Sequence, residues 1–331
     1  MKAVTYSRYG APDVLHLSDV PTPVPRDDEL LIRVRAAEAT KGDCELRSFR
    51  FSVRWFWLPL RLALGVTAPR RRILGAYFSG EVAAVGKAVT RFAPGDSVFG
   101  AAGLRFGAYG EYLIVPERAT LARKPATMSF AEAAAVPLGG LNALHFLRLA
   151  NVRPADQVLI TCAGGSIGAH AVQIAKAMGG EVTAVDLGAK AALLSRLGAD
   201  HVVDYTKEDA LARAGRYDVI FDMVPGRSLR AGIRALRPGG RYVHGNPSLA
   251  ILLGAPLVRR FTAKTATCAF ARETTDELEA LKAMIEEGTL ASIVDRVLPL
   301  TEAAGAHRLV ETEARRGAIV LAMDVPEAAR A

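Results

Sequence analysis

The stretch VLITCAGGSIGAHAVQIAKAMGG, residues 158–180, decides the fold class of this chain. It begins with a short apolar strand, Val158–Thr161, and continues into a turn that contains three glycines. The apolar residues after the turn recur mainly at intervals of three and four, which predicts a helix with one buried face. These residues are Ile167, Ala171, Ile174, Ala175 and Met178. A buried strand that leads through glycines into a helix is typical of a parallel sheet covered by helices.

The glycine turn is a candidate anion site. Glycine is needed where the backbone approaches a ligand closely and where a helix packs tightly on a strand. A helix that begins at about Ser166 would present free N–H groups and the positive end of its dipole to phosphates. In the pattern G-x-G-x-x-G, Ala163 occupies the first place. The residues predicted to bind the diphosphate of a dinucleotide are Gly164, Gly165, Ser166, Ile167 and Gly168. The alternative is an ordinary strand-to-helix turn.

An acidic residue follows at the spacing that dinucleotide sites require. Asp186 ends the predicted strand EVTAVD and lies 18 residues after Gly168. A carboxylate there accepts hydrogen bonds from the adenosine ribose and repels a 2′-phosphate, which favours NAD(H). Lys190, Arg196 and Tyr205 lie close by in sequence and could bind that phosphate instead. Both cofactors therefore stay open, with a slight preference for NAD, and a helix N-cap is the alternative for Asp186.

Strands and helices alternate through the second half of the chain. Before them, residues 128–150 predict two helices with a break at Pro137 and Gly139–Gly140. The predicted strands are Val182–Val185, His201–Val203, Asp218–Phe221 and Tyr242–His244, and the predicted helices are Lys190–Leu197 and 276–288. This alternation predicts an α/β fold with a Rossmann doubly wound parallel sheet.

The first third of the chain has a different pattern. Short stretches rich in β-branched residues alternate with turns that contain Pro and Gly, which predicts an antiparallel, barrel-like domain. Two more predicted strands, residues 293–300 and 317–324, close the chain, and we expect them to return to the first domain. The predicted domains are residues 1–125 with 290–331, and residues 126–289.

Composition and charge exclude several classes of protein. Half of the 331 residues are hydrophobic and 23% are charged, so the chain can bury a sizeable core. The three cysteines, Cys44, Cys162 and Cys268, form no CxxC pair, which excludes a zinc ribbon and a redox pair. The net charge of +8 could attract nucleic acid, anionic lipid or a phosphorylated ligand without choosing among them. The amino terminus shows no signal or transit pattern, so we expect a cytoplasmic protein.

Several stretches together resemble the medium-chain dehydrogenase/reductase superfamily, and most closely its zinc-free, quinone-oxidoreductase-like branch. Besides the glycine turn, they include MKAVTYSRYGAPDVLHL (1–17), SGEVAAVGKAVTRFAPGDSVFG (79–100), SFAEAAAVPLGGLNALHFL (129–147), LRPGGRYVHG (236–245) and RGAIVLAMD (316–324). The resemblance covers nearly the whole chain. It implies a GroES-like catalytic domain, a Rossmann domain, and a cleft between them where nicotinamide meets substrate. It also implies a homodimer, which is common in the family.

The resemblance allows the metal ligands of the family to be compared with this chain. Zinc-dependent relatives bind the catalytic metal at positions that correspond here to Thr40, Ala76 and Leu138. None of these side chains ligates zinc well, and the four-cysteine structural lobe is missing, so no metal is expected. Without a Lewis acid, a conjugated acceptor is the substrate more easily reduced. We therefore expect NAD(P)H-dependent hydride transfer to a quinone or an α,β-unsaturated carbonyl.

Two other functions stay open at this point. One is an NAD(P)-dependent dehydrogenase of alcohols or ketones. The other is a non-catalytic protein that binds a cofactor or RNA, like the crystallin-like relatives in the family. The chain has no RNA-recognition motif, so no nucleic-acid partner is expected. The expected partner is an apolar, conjugated small molecule.

Three residues are candidates for the reaction itself. Thr40 and Lys41 follow the strand-like stretch LLIRVRAAEA. There, Thr40 could donate a hydrogen bond to a substrate carbonyl and Lys41 could stabilise an oxyanion, and a polar turn is the alternative. Tyr77 stands where many relatives carry an acid, and it could donate a proton or stack on the acceptor. The alternative for Tyr77 is a packed aromatic residue.

Four further residues are candidates for contact with the cofactor. Asn142 could bind the nicotinamide ribose or cap the following helix. Asn246 lies at the carboxyl end of a predicted strand and could bind the ligand or form a turn before Pro247. Met223 and Val224 could pack against the cofactor or be an apolar strand end.

The segment of residues 47–72 mixes aromatic and basic side chains. The aromatic residues are Phe49, Phe51, Trp55, Phe56 and Trp57, and the arginines are Arg47, Arg50, Arg54, Arg61, Arg70, Arg71 and Arg72. The segment could cover an apolar substrate site, touch an anionic membrane surface weakly or bind a phosphorylated substrate. A solvated basic flank over a small aromatic core is the alternative. Because arginines and Pro59 interrupt residues 49–66, this stretch is not expected to span a membrane.

Overall fold

The computed structural model describes residues 1–51, 57–246 and 248–323. The amino-terminal elements are β1 (Lys2–Thr5), β2 (His16–Asp19), β3 (Glu29–Ala39), α1 (Lys41–Ser48), α2 (Trp57–Leu64), β4 (Tyr77–Val85), β5 (Ser97–Ala101), β6 (Tyr112–Pro116) and β7 (Thr120–Arg123). The central elements are α3 (Phe130–Ala134), α4 (Val136–Leu149), β8 (Gln157–Thr161), α5 (Ser166–Ala177), β9 (Glu181–Asp186), α6 (Ala191–Arg196), β10 (His201–Asp204), β11 (Tyr217–Asp222), α7 (Leu229–Ala235), β12 (Leu236–His244), α8 (Leu249–Phe261), β13 (Thr265–Cys268) and α9 (Thr275–Glu286). The chain then adds β14 (Val294–Pro299), α10 (Ala303–Glu311) and β15 (Ala318–Ala322).

The glycine stretch folds as its pattern predicts. β8 and α5 flank the turn, and β8 lies inside a six-stranded sheet with the order β10-β9-β8-β11-β12-β13. Every pairing in this sheet is parallel. The chain builds one half outward from β8 and then crosses back to β11, so the carboxyl ends of β8 and β11 border a crevice. The predicted doubly wound parallel sheet is confirmed.

The predicted helix break at Gly139–Gly140 is wrong, although a helix boundary does lie next to Pro137. α3 ends just before α4 begins, and Pro137 occupies the first turn of α4, where its missing N–H costs nothing. α4 then continues through both glycines. A Cβ at Gly139 would lie 2.6 Å from the carbonyl oxygen of Ser166, and one at Gly140 would lie 2.7 Å from a methyl group of Leu281. The two glycines therefore serve the close packing of α4 on α5 and α9.

The second large sheet is mainly antiparallel and combines both ends of the chain. Its order is β14-β15-β3-β4-β5-β7, and β6 also pairs with β3. The closing strand β15 runs antiparallel to β3, with Leu321 opposite Ala37, and β14 runs parallel to β15. The side chains of Leu30, Ile32 and Val34 on β3 lie in the buried core of this part of the molecule. The domain limits drawn from the sequence stay a prediction.

The two sheets meet at the glycine turn. The N–H of Gly317, one residue before β15, donates to the carbonyl of Gly164 at 2.9 Å, and Gly165 forms a strand-like bridge with Gly317. Gly317 has φ +100°, and a Cβ there would lie 2.2 Å from the carbonyl oxygen of Ile293. Only glycine allows this approach. The segment of residues 312–317, here called the closing loop, therefore forms a wall directly beside the turn.

Within the segment of residues 47–72, some of the described aromatic and basic side chains form a small cluster. Arg54, Trp55 and Phe56 lie outside the described residues. The Arg61 guanidinium lies over the rings of Tyr9 and Phe49, at 4.5 and 4.3 Å from their centroids. α2 buries none of its residues and exposes Leu58 and Leu62. Among the described helices, none combines the length and the apolar character that crossing a bilayer requires.

The packing of α4 on α5 gives a stability prediction. We expect Gly139→Ala to lower the free energy of unfolding by about 1–3 kcal/mol, because the added methyl group overlaps the Ser166 carbonyl. Urea unfolding followed by circular dichroism measures the change. Gly305→Ala in α10 is the matched control, since open space surrounds Gly305 and alanine should stabilise that helix by about 0.5–1 kcal/mol. Equal stability of the two variants would contradict the packing argument.

Candidate functional site

Two glycines of the turn have different physical roles. A Cβ on Gly168 would lie 2.2 Å from the carbonyl oxygen of Cys162, so only glycine lets α5 pack this closely on β8. A Cβ on Gly165 would meet nothing closer than 3.5 Å, so there is open space beside the turn at that position. Gly165 is also the N-cap of α5, and no side chain caps this helix. The first N–H groups of α5 are therefore available to an anion.

Two buried polar atoms near the turn make no hydrogen bond of normal length and angle within the described residues. They are the hydroxyl of Ser166, in the first turn of α5, and Oε2 of Glu38, on β3. Burial raises the pKa of Glu38 to about 8, while the Ser166 hydroxyl and Arg315 act in the opposite direction. A buried polar atom without a partner costs free energy unless a ligand or water supplies one. The Ser166 hydroxyl can therefore donate to a polar ligand such as the diphosphate of a nucleotide, and Glu38 can do so in its protonated form, which its raised pKa favours.

Asp186, the last residue of β9, forms a hydrogen bond with the backbone of the glycine turn. Its carboxylate accepts hydrogen bonds from the N–H groups of Gly164, at 2.7 Å, and Leu187, at 2.8 Å. It also forms an ion pair with Lys190 at 2.9 Å, and both charged side chains are buried. The N-cap alternative for Asp186 is wrong, because Leu187 and Lys190 are the N-cap residues of the two helical turns that follow. The Lys190 ammonium compensates the negative charge that was expected to repel a 2′-phosphate.

Lys41, Lys190 and Tyr205 lie on the same side of the turn. The Lys41 ammonium pairs with the Glu313 carboxylate at 2.5 Å, and the Lys190 ammonium donates to the Glu313 carbonyl at 3.2 Å. Tyr205 follows β10, its N–H donates to the Asp186 carbonyl, and its side chain is exposed. In this structure the Glu313 carboxylate balances the charge of Lys41, and both side chains are exposed beside the closing loop.

Thr40 is the N-cap residue of α1. Its hydroxyl accepts a hydrogen bond from the N–H of Asp43 at 3.0 Å and donates its own proton to the Asp43 carboxylate at 2.6 Å. The other oxygen of that carboxylate accepts the N–H of Gly75 at 3.0 Å, and burial raises the pKa of Asp43. This capping box occupies the one hydroxyl proton that was expected to reach a substrate carbonyl. Thr40 therefore positions α1 in this structure.

Tyr77 contacts a residue that the sequence analysis did not single out. Its hydroxyl donates a hydrogen bond to Oε1 of Glu273 at 2.5 Å, and Glu273 lies two residues before α9. The bond joins the antiparallel sheet to the segment that follows the parallel sheet. Burial raises the pKa of both groups, and the negative charge of Glu273 raises the pKa of Tyr77 further. No motif marks Glu273, so only the fold could bring it to Tyr77.

Three predicted cofactor residues lie at the carboxyl ends of β11 and β12. The side-chain amide of Asn246 donates to the carbonyl of Met223 at 2.8 Å, which ties the two strand ends together. The N–H of Val224 donates to the carboxylate of Asp222 at 3.0 Å, and the Thr161 hydroxyl donates to the same carboxylate at 2.8 Å. Asp222, which the sequence analysis missed, thus fixes the strand ends that border the crevice.

Asn142 is half-buried in the interior of α4. Its side-chain amide donates to the carbonyl of Leu138, one turn earlier in the same helix, at 2.9 Å. The alternative that Asn142 caps a following helix is wrong, because α4 continues on both sides of it. Its contact with the nicotinamide ribose stays a prediction.

The residues at the family's metal positions do not fit a catalytic zinc. Thr40 is occupied in its capping box, and Ala76 and Leu138 have no donor atom in their side chains. Within residues 1–51, 57–246 and 248–323, no three His, Cys, Asp or Glu side chains are grouped so that they could hold a metal ion. We therefore derive no step through zinc.

The buried Glu38 carboxyl predicts how stability depends on pH. Its pKa of about 8 in the folded chain lies above the ordinary carboxyl value of the unfolded chain, so folding takes up a proton between these two values. Stability should therefore fall as the pH rises through this window. We expect Glu38→Gln to remove most of that fall. Urea unfolding at about pH 5 and about pH 9 measures it.

The control for this experiment is Glu279→Gln, which removes an exposed carboxyl on α9. It should keep the wild-type dependence on pH. If Glu38→Gln also keeps that dependence, the buried carboxyl is not its source.

Comparison with known proteins identifies the family. The profile of the family described as "Alcohol dehydrogenase GroES-like domain" matches residues 26–126, and that described as "Zinc-binding dehydrogenase" matches residues 197–321. A 2-methylene-furan-3-one reductase of Solanum lycopersicum is 30% identical over an alignment of 335 positions, which covers 97% of this chain and 79% of the relative. A chloroplastic NADPH-dependent alkenal/one oxidoreductase of Arabidopsis thaliana is 30% identical with the same coverage.

A solved structure extends the similarity to three dimensions. The structure of the quinone oxidoreductase from Coxiella burnetii is 31% identical to this chain and has a TM-score of 0.87. The match covers 98% of this chain and 99% of that one. The predicted combination of a GroES-like domain with a Rossmann sheet is confirmed. The chain is an oxidoreductase that belongs to the medium-chain dehydrogenase/reductase superfamily, in its quinone-oxidoreductase-like branch.

Proposed function

We propose that this protein transfers a hydride from a reduced nicotinamide nucleotide to a conjugated carbonyl compound, either a quinone or an α,β-unsaturated carbonyl. The observation that carries the proposal is the glycine turn at the junction of the two sheets. There the helix α5 is uncapped, and the Ser166 hydroxyl is buried without a partner in the described chain. The names of the relatives, an alkenal/one oxidoreductase and a quinone oxidoreductase among them, support this substrate class.

The donor atoms of the site support the same class of acceptor. The metal positions carry side chains that do not fit zinc, so the chain offers no Lewis acid to polarise a plain ketone. A conjugated acceptor spreads the negative charge that develops on hydride transfer. The protein then mainly has to position the reactants and exclude water. Dehydrogenation of a simple alcohol is therefore the weaker alternative.

The nucleotide would supply the hydride, and this chain would hold it along the crevice. The residues that we propose for this role are Asn142, Gly164, Gly165, Ser166, Ile167, Gly168, Asp186, Lys190, Tyr205, Met223, Val224 and Asn246. The N–H groups at the start of α5 would bind the diphosphate. The strand ends of β11 and β12 would border the nicotinamide, because ligands of such sheets bind at the carboxyl edge.

We infer that NADPH is preferred over NADH. The slight preference for NAD rested on a free Asp186 carboxylate, whereas here that carboxylate is paired with the ammonium of Lys190. Lys41 forms an ion pair with Glu313 nearby, and the exposed ring of Tyr205 follows β10 on the same side of the glycine turn. A 2′-phosphate could replace the Glu313 carboxylate on Lys41 and accept a hydrogen bond from the Tyr205 hydroxyl, because lysine forms strong charge-assisted hydrogen bonds with phosphate. The name of the Arabidopsis relative supports NADPH as well.

Assembly and location are proposals too. β13 is the edge strand of the parallel sheet, and α8 beside it exposes Leu253, Leu257 and Phe261. An exposed apolar face next to a sheet edge supports the homodimer expected from the family. The cytoplasmic location and a weak contact of residues 47–72 with an anionic membrane remain predictions from the sequence.

The proposed function is tested with the purified protein and a panel of acceptors. We expect oxidation of NADPH with 1,4-benzoquinone or with 2-methyl-2-cyclohexenone, and no decrease when a strong metal chelator is added. Absorbance of the reduced nicotinamide gives the rate. Activity confined to a secondary alcohol with NADP⁺, or loss of activity on chelation, would contradict the proposal.

The preference for NADPH is tested at Lys190. We expect Lys190→Ala to lower the ratio of kcat/KM for NADPH to that for NADH by about 10–100-fold, because it removes a charge-assisted hydrogen bond and leaves the Asp186 carboxylate unpaired. Lys176→Ala is the matched control, since Lys176 pairs with Asp200 at the far end of α5. An unchanged ratio in Lys190→Ala would show that the 2′-position is recognised elsewhere or not at all.

A further inference from the structure

The hydrogen bond between Tyr77 and Glu273 crosses the cleft but has no part in hydride transfer itself. The Tyr77 hydroxyl lies 2.5 Å from Oε1 of Glu273. Both side chains are half-buried, and the hydrogen bond holds them against each other. When Glu273 carries a proton, it can donate that proton to the Tyr77 oxygen across the same 2.5 Å, which leaves the Tyr77 hydroxyl proton free for a substrate.

The segment between β13 and α9 fixes Glu273 in this position. Ala269 and Ala271 pack with Met223 against the core of the parallel sheet. The Thr120 hydroxyl, on the other side of the cleft, donates to the carbonyl of Glu273 at 2.8 Å. The Glu273 residue therefore joins the segment that packs on the parallel sheet to the antiparallel sheet that carries Tyr77 and Thr120. Tyr77 directly follows Ala76, one of the positions at which zinc-dependent relatives bind the catalytic metal, so a substrate bound there would lie near the Tyr77 hydroxyl.

We propose that Tyr77 is a catalytic acid that places a proton on the α-carbon of an α,β-unsaturated carbonyl, and that Glu273 positions and reloads it. This inference rests on the proposed function and narrows its substrate class to enones and enals. A quinone is reduced at oxygen, and oxygen atoms exchange protons rapidly with water. Protonation of carbon is slow and gains most from a fixed donor.

The proton and electron balance of the step is complete. A hydride adds to the β-carbon, and the π electrons move toward the carbonyl oxygen to give an enolate. The O–H bond of Tyr77 then breaks, and its proton forms a C–H bond at the α-carbon with the returning electron pair. The Tyr77 phenolate takes the proton held by the Glu273 carboxyl. Water reprotonates Glu273 once the product leaves.

The charges around Tyr77 fit a donor that keeps its proton until the enolate forms. The acidic groups that face it are Glu273, Glu38 and Asp43. Burial raises the pKa of Tyr77 most, and the charges of Glu38 and Asp43 raise it further while Glu273 carries its proton. Burial also raises the pKa of Glu273, which favours the protonated carboxyl that the reloading step needs. As the pH rises and Glu273 loses this proton, the rate of enone reduction should fall.

The experiment compares two acceptors in the full-length enzyme with NADPH. We expect Tyr77→Phe to lower kcat for 2-methyl-2-cyclohexenone by about 100-fold and kcat for 1,4-benzoquinone by less than about threefold. The enantiomeric excess at the new α-carbon should also fall, because water then supplies the proton from either face. Glu273→Gln should lower enone reduction by about tenfold and remove the fall of its kcat at high pH.

Tyr217→Phe is the matched control, because it removes a tyrosine hydroxyl that donates to the carbonyl of Ala210 at 3.2 Å, at the first residue of β11 and away from the strand ends that border the crevice. It should change both reactions by the same factor and preserve the enantiomeric excess. If Tyr77→Phe lowers the two reactions equally, Tyr77 only holds the cleft together and the inference is overturned. A wild-type enzyme that reduces the quinone but no enone overturns the inference and leaves the proposed function standing. One that reduces neither acceptor overturns both. Glu273→Gln decides the matter if Tyr77→Phe does not fold.

Discussion

The close approach of two backbones at Gly164 and Gly317 constrains the rest of this molecule. One sheet comes from the middle of the chain and the other from its two ends, and they meet where a Cβ on Gly317 would overlap a carbonyl. The hydrogen bond between these two glycines holds the closing loop against the turn that precedes the N-terminus of α5. Because of this contact, Lys41 and Lys190, which lie far apart in sequence, reach the same residue of the closing loop.

Acidic side chains are concentrated in the buried junction between the two sheets. Each of them has a different set of hydrogen-bond or ion-pair partners. Asp186 is paired with Lys190, and Asp43 accepts backbone N–H groups and the Thr40 hydroxyl. Glu273 shares a hydrogen bond with Tyr77, whereas one oxygen of Glu38 has no partner within the described residues. Burying a carboxylate is costly unless it is paired or protonated. The junction therefore contains several buried carboxyl groups that can carry a proton or accept a hydrogen bond. It lies at the place where we propose that hydride and proton transfer occur.

Sequence reasoning succeeded where one short stretch carried the whole signal. The strand, turn and helix around Gly168 could be predicted because periodicity and glycine spacing are local properties. The same reasoning misjudged Gly139–Gly140, because these glycines serve the packing of α4 on helices distant in sequence. It also treated Asp186 as free, although Lys190 follows it by four residues. Spacing alone could suggest that pair, but burial of both charges depends on the closing loop.

The amino-acid order was enough to establish the parallel sheet, the glycine turn at the start of α5, the absence of zinc-binding side chains at the family's metal positions, and the family. These properties follow from neighbouring residues and from spacings that the chain cannot change. The partner of Tyr77, the unpaired oxygen of Glu38 and the occupied hydroxyl of Thr40 became visible in the folded chain alone. The physical reason is that hydrogen bonds between the two sheets join residues far apart in sequence, such as Tyr77 and Glu273 at 196 positions, and burial decides which of these groups keep a proton.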